Sequence, residues 1–183
     1  QKEYLIEWLG SPDRDWQAAA LTGLHRLDTE EFRKRFIAAL ANLPAEEDGK
    51  YEKTPGPDQY IAFADVARLT DDTQVWAAMG KYLGTASPEV KMAWIDRLTD
   101  STPRAHVSYT KATECVAALL SDKAVRVRGS GDQIDRTEIR NFTAKRLGDA
   151  LRVRDMPTDE APEKEWKAYR EEVAKAAKKA IEL

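Results

Sequence analysis

The chain has 183 residues, of which 42% are hydrophobic and 33% charged, with a net charge of −3. This composition predicts one soluble globular domain over residues 1–183. The small negative charge gives no general attraction to nucleic acid or anionic lipid, so no nucleic acid is expected as a partner. No run of 18 apolar residues occurs, so no membrane span is predicted. Cys115 is the only cysteine, which excludes an internal disulfide, and neither a metal nor a cofactor is predicted.

The chain begins at Gln1 instead of methionine, and two explanations remain open. Removal of a signal peptide would leave such an end on a secreted or periplasmic protein. Excision from a longer cytoplasmic chain would do the same. The helical pattern of residues 4–9, which has no clear cap, favours excision slightly.

Apolar residues recur three or four positions apart along most of the chain, which predicts about eight helices with one buried face each. A further helix is expected from about residue 57 to residue 69. In chain order the other predicted faces are Trp16, Ala20, Leu24 and Leu27; Phe32, Phe36, Leu40 and Leu43; Val75, Trp76, Met79 and Leu83; Val90, Trp94 and Leu98; Tyr109, Ala112, Val116, Leu119 and Leu120; Ile139, Phe142, Leu147 and Leu151; and Trp166, Tyr169, Val173, Ala177 and Ile181.

Polar residues, glycines and prolines divide these helices. Asp28 with Glu31, and Asp135 with Glu138, have the spacing of capping boxes, so a helix is predicted to begin after each. Gly84 is predicted to end a helix in the left-handed conformation. Further helix starts are predicted at Asp71 or Asp72, at Ser87-Pro88, at Ser101-Thr102-Pro103 and near Pro162, with a long loop at residues 44–57.

One segment does not fit the helical pattern. Residues 125–128 alternate valine and arginine, which is typical of a short strand, and Gly129-Ser130-Gly131 follows. A two-stranded flap and an extended loop both fit this pattern. Because the segment lies between two strong helices, we expect a functional loop here.

Three segments resemble the second helix of a HEAT-like or armadillo-type repeat, in which an apolar residue is followed by a basic one, an alanine-rich helix and a closing leucine. They are residues 88–98 and 138–147 and, more loosely, residues 13–21. Arg140 stands at the basic position, Lys91 substitutes there, and Gln17 takes its place in the third segment. The resemblance implies an all-α fold, an α-α superhelix of antiparallel helix pairs that presents a groove to a protein partner.

The repeat spacing is unequal. From Val90 to Ile139 is 49 residues, whereas from Trp16 to Val90 is 74. An irregular superhelix is therefore expected, and a compact helical bundle is the alternative.

The candidate binding site is a basic patch around the glycine loop. Residues 123–154 contain nine lysines and arginines against four acids. The predicted binding residues are Arg126, Arg128, Arg136 and Arg140, and the last two would share a helical face. Such a patch fits a phosphate, a carboxylate or an acidic peptide partner. The alternative is a solvated face paired internally with Asp132, Asp135 and Glu138.

These observations predict a non-enzymatic protein-interaction scaffold that binds a protein or an acidic peptide. The alternative function is an accessory anion- or small-ligand-binding domain attached to an enzyme. A hydrolase with Asp and His side chains brought together by folding is a third class. Cys115 is expected to be a buried apolar residue, and His25 a packing or surface residue.

Overall fold

The computed structural model describes residues 1–43, 58–100, 109–129 and 134–182, and this part of the chain is mostly helical, as the all-α prediction requires. Its helices are α1 (Lys2–Trp8), α2 (Arg14–Leu27), α3 (Thr29–Ala41), α4 (Asp58–Ala67), α5 (Thr73–Thr85), α6 (Pro88–Thr99), α7 (Tyr109–Ala117), α8 (Ile139–Leu151) and α9 (Glu163–Ile181). A short 3-10 helix, Ala118–Ser121, follows α7. The predicted loop at residues 44–57, the predicted helix start at residues 101–103, His106 and Asp132 lie outside the described residues.

Of the two alternatives for the segment after α7, the two-stranded flap is present and the extended loop is not. Strands β1 (Val125–Arg128) and β2 (Asp135–Glu138) form an antiparallel hairpin in which Val125 lies opposite Glu138. Residues 135–138 are therefore a strand, and the prediction of a capping box there is wrong. Arg136 and Arg140 consequently do not share a helical face, because Arg136 is in β2 and Arg140 is in α8.

Several helices begin at the residues that the sequence indicated. The side chains of Asp28, Asp72 and Ser87 accept hydrogen bonds from backbone N–H groups in the first turns of α3, α5 and α6. These side chains satisfy donors that a helix start leaves free. Gly84 does not end a helix, since α5 continues to Thr85.

The buried faces mostly follow the predicted spacing. The α3 set of Phe32, Phe36, Leu40 and Leu43 is buried, and so are Trp94 in α6 and Trp166 in α9. The core positions predicted for Trp16, Leu27 and Tyr109 are wrong, because these side chains are 49%, 54% and 48% exposed. Trp16 packs edge-on against Trp8 of α1, at 4.8 Å between ring centroids. Gln17 and Ala18 of α2 are buried instead, so the face of α2 is rotated by about one residue.

The helices contact one another in two rows. In one row α2 packs on α4, α4 on α6 and α6 on α8; in the other, α3 packs on α5, α5 on α7 and α7 on α9. Sequence neighbours also join the rows, most extensively α2 with α3 and α8 with α9. The hairpin lies between α7 and α8 in the chain and belongs to neither row. Its first strand, β1, contacts α6, and its second, β2, leads directly into α8.

Candidate functional site

An open cleft of about 790 Å³ lies beside the hairpin. Its walls come from α6, both strands, α8, the segment before α9 and the first turn of α9. The lining side chains are Met92, Asp96, Arg126, Asp135, Arg136, Thr137, Glu138, Asn141, Phe142, Lys145, Arg146, Asp159, Ala161, Glu163 and Trp166. The cleft thus combines apolar side chains with charges of both signs.

Two of the four predicted arginines are already paired within the chain. The Arg126 guanidinium donates to Asp135 Oδ2 at 2.7 Å and to Thr137 Oγ1 at 3.1 Å, both across the hairpin. Arg140 donates to Glu138 Oε2 at 2.7 Å and lies 3.3 Å from Glu163 Oε2. These two arginines hold the hairpin, α8 and α9 together.

The other two predicted arginines have no partner for their guanidinium groups among the described residues. Arg128 and Arg136 are exposed, and neither forms a salt bridge or a side-chain hydrogen bond with another described residue. Register places Arg136 opposite Val127, and Arg128 opposite Asp135. Within the described chain, the predicted four-residue patch therefore leaves two cations available to a ligand.

The remaining charges of the cleft form pairs that the sequence did not reveal. Arg146 bonds Asp96 of α6 at 2.5 Å, and Lys145 lies 3.4 Å from Asp159. Arg170 of α9 donates to Glu163 at 2.6 Å and also to Asn141. The acids of these pairs lie outside residues 123–154, so counting charges within that segment missed them. They are Asp96, Asp159 and Glu163.

The pKa shifts of Glu163 and Arg140 agree with the pairing, whereas that of Asp96 is determined by burial. Hydrogen bonding to Arg170, with the charges of Arg170 and Arg140 added, lowers the pKa of Glu163. The Glu138 carboxylate raises the pKa of Arg140 through its hydrogen bond. Burial raises the pKa of Asp96, while the Arg146 guanidinium opposes that rise.

The thiol and the imidazole of the described chain lie outside the cleft. Cys115 is on α7, where it packs against the core, and His25 is on α2, edge-on to Phe32 at 5.0 Å between ring centroids. Burial, followed by the charge of Arg26, lowers the pKa of His25. In the described ranges, no group of three or more His, Cys, Asp and Glu side chains is placed to hold a metal ion.

Cys115 is expected to resist alkylation in the folded protein. Burial raises the pKa of its thiol from 9.0 to about 12, and only the thiolate reacts. At pH 8 this shift lowers the thiolate fraction about 1,000-fold relative to an ordinary cysteine. Iodoacetamide labelling followed by mass spectrometry, with and without guanidinium chloride, measures the difference; equal rates would contradict the burial.

Comparison with family models, with curated proteins and with solved structures finds no match to this chain. None of the helices described is long and apolar enough to cross a membrane.

Proposed function

We propose that this chain is a non-enzymatic protein-interaction module that binds an acidic polypeptide segment in the cleft beside the hairpin. The observation that carries the proposal is the exposed arginine of the cleft wall, Arg136. Arg128, also exposed, lies on the same hairpin but is not among the side chains that line the cleft. The other described cations of the cleft wall, among them Arg126, Lys145 and Arg146, already have acidic partners. A ligand of opposite charge therefore gains the most by contacting the hairpin.

The apolar lining supports a polypeptide as the ligand. Met92, Phe142, Ala161 and Trp166 line the cleft between the paired charges. Their apolar surface gives a partner side chain something to cover, while the polar rim fixes its orientation. A purely ionic ligand such as phosphate would leave this surface unused.

We also propose that the helices form an irregular α-α superhelix of the HEAT-like kind. The two rows of helices support this, because each row extends by packing one more helix on the last. Two of the three resembling segments also share a contact. Gln17 donates to the Ser11 carbonyl at 2.6 Å and Lys91 to the Gly84 carbonyl at 3.5 Å, so both side chains reach back to the backbone before their own helix, whereas Arg140 bonds to Glu138.

Selection of peptides from a phage-displayed random library tests the binding function. We expect the wild-type chain to enrich sequences rich in Asp and Glu that also contain apolar residues. The double variant Arg128→Glu, Arg136→Glu is expected to bind the selected peptides at least about tenfold more weakly, a loss of about 1.4 kcal/mol. Fluorescence anisotropy of synthetic labelled copies measures this loss.

The matched control is Lys175→Glu, Lys179→Glu, which makes the same change in net charge on the distant half of α9. Both lysines are exposed, and this variant is expected to keep the wild-type affinity. Arg140→Glu is unsuitable as a test, because it would break the contacts of Arg140 with Glu138 and Glu163. An equal loss in both double variants, or no enrichment of any peptide, would contradict the proposal.

The second candidate is the anion- or small-ligand-binding domain, which the cleft volume favours. A volume of about 790 Å³ falls within the range of about 300–1,000 Å³ usual for small-ligand pockets. Saturable binding of inorganic phosphate that depends on Arg128 and Arg136, without selection of any peptide, would favour this candidate.

A further inference from the structure

Strand β2 meets the cleft with its edge. All four of its residues, Asp135–Glu138, line the cleft, whereas β1 contributes only Arg126. Successive side chains of a strand point to opposite faces of the sheet. A strand that lines a cleft with every residue therefore borders it along its hydrogen-bonding edge.

The hydrogen-bond pattern shows which backbone groups lie on that edge. The Ile139 N–H donates to the Ala124 carbonyl at 2.9 Å, and this pair continues the register of the hairpin. Bonded and non-bonded pairs alternate in an antiparallel ladder. Counting from the bonded pair of Ala124 and Ile139, the pairs that contain Glu138 and Arg136 are both non-hydrogen-bonded. The N–H and C=O of Arg136 and the N–H of Glu138 therefore point away from β1, towards the cleft.

We propose that the acidic segment binds as a third β-strand along the outer edge of β2. This inference rests on the proposed function and specifies how the ligand is held. Main-chain hydrogen bonds to Arg136 and Glu138 supply the contact, and alternate side chains of the ligand point to opposite faces of the enlarged sheet.

Charge complementarity identifies the occupant as an acidic partner segment. A carboxylate opposite Arg136 in the new strand pair would neutralise a guanidinium that has no acid within the described chain. A second copy of β2 is the alternative occupant, because antiparallel pairing about Thr137 would place Arg136 opposite Glu138 of the other copy. Self-association of the chain without peptide in analytical ultracentrifugation would overturn the acidic partner as the occupant.

Amide hydrogen exchange provides the first test. We expect a saturating amount of the best peptide from the phage selection to slow exchange at the Arg136 and Glu138 amides at least about tenfold, a free-energy change of about 1.4 kcal/mol. Val125 and Val127 are the internal control, because the ladder turns their amides to the opposite edge of the hairpin. Protection of all four amides alike, or of none, would overturn the strand-pairing mode.

N-methylation of the same synthetic peptide, one residue at a time, separates this inference from the proposed function. Methylation removes an N–H donor and adds bulk at the pairing edge, so we expect alternate positions to lose about tenfold in affinity and the positions between them to be tolerated. If the unmodified peptide binds through Arg128 and Arg136 but every methylated peptide binds equally well, the strand mode is wrong while the proposed function stands. If the unmodified peptide fails to bind, both are overturned.

Discussion

Replacing Lys91 with methionine is expected to lower the free energy of unfolding by about 3–5 kcal/mol, because it leaves a buried carboxylate without its counter-ion. The Lys91 ammonium lies 2.6 Å from Asp122 Oδ2, and the two side chains are only 6% and 17% exposed. The other carboxylate oxygen of Asp122 accepts the Ala124 N–H at 2.8 Å, just before β1. The pair therefore connects α6 to the base of the hairpin, and denaturant unfolding followed by circular dichroism measures the loss.

Lys81→Met is the matched control for this prediction. Lys81 is exposed on α5, so the same substitution there is expected to change stability by less than about 0.5 kcal/mol. The double variant Lys91→Met, Asp122→Asn removes both charges, keeps an oxygen acceptor for the Ala124 N–H, and is expected to recover much of the loss. If Lys91→Met costs no more than Lys81→Met, the ion pair is not a determinant of stability.

The helical faces could be predicted because they depend on spacing within a single segment. The large apolar residues of α3 recur at the helical period, so they share one face and are buried together when that face packs against the core. They are Phe32, Phe36 and Leu40. Trp16 shows the limit of this reasoning. Its spacing places it beside Ala20, but contact with Trp8 of the preceding helix leaves it half exposed at one end of the stack, which no local pattern records.

The position of the hairpin could be predicted from the sequence, but the pairing of its arginines could be predicted only in part. Alternation over residues 125–128 located the hairpin, and the local excess of basic residues located the patch. Whether an arginine is paired depends on acids from distant segments of the chain, as the bond of Arg146 to Asp96 shows. Residues 135–138 were misassigned because the spacing of Asp135 and Glu138 fits a capping box, whereas pairing with β1 determines the strand.

Gly148→Ala is expected to destabilise the protein by about 2 kcal/mol, although alanine is the better helix former. Gly148 lies inside α8, where α9 packs against it. A Cβ at this position would be 2.1 Å from the Tyr169 hydroxyl oxygen and 3.2 Å from a methyl group of Val173. Tyr169 is only 3% exposed, so its ring has little room to move, and overpacking of this kind typically costs about 1–3 kcal/mol.

Two further variants make this prediction sharper. Gly80 lies in α5, where a Cβ would meet no neighbouring atom within 4 Å, so Gly80→Ala is expected to raise stability by about 0.5–1 kcal/mol.

The Tyr169 hydroxyl is buried without a hydrogen-bond partner among the described residues, so Tyr169→Phe alone is expected to be neutral or slightly stabilising. Combined with Gly148→Ala it removes the closest atom, and thermal unfolding of the double-mutant cycle is expected to give a favourable coupling of about 1 kcal/mol. Additive effects in that cycle would mean that α9 shifts away from α8 as a unit, and the close approach of the two helices would then not depend on the hydroxyl.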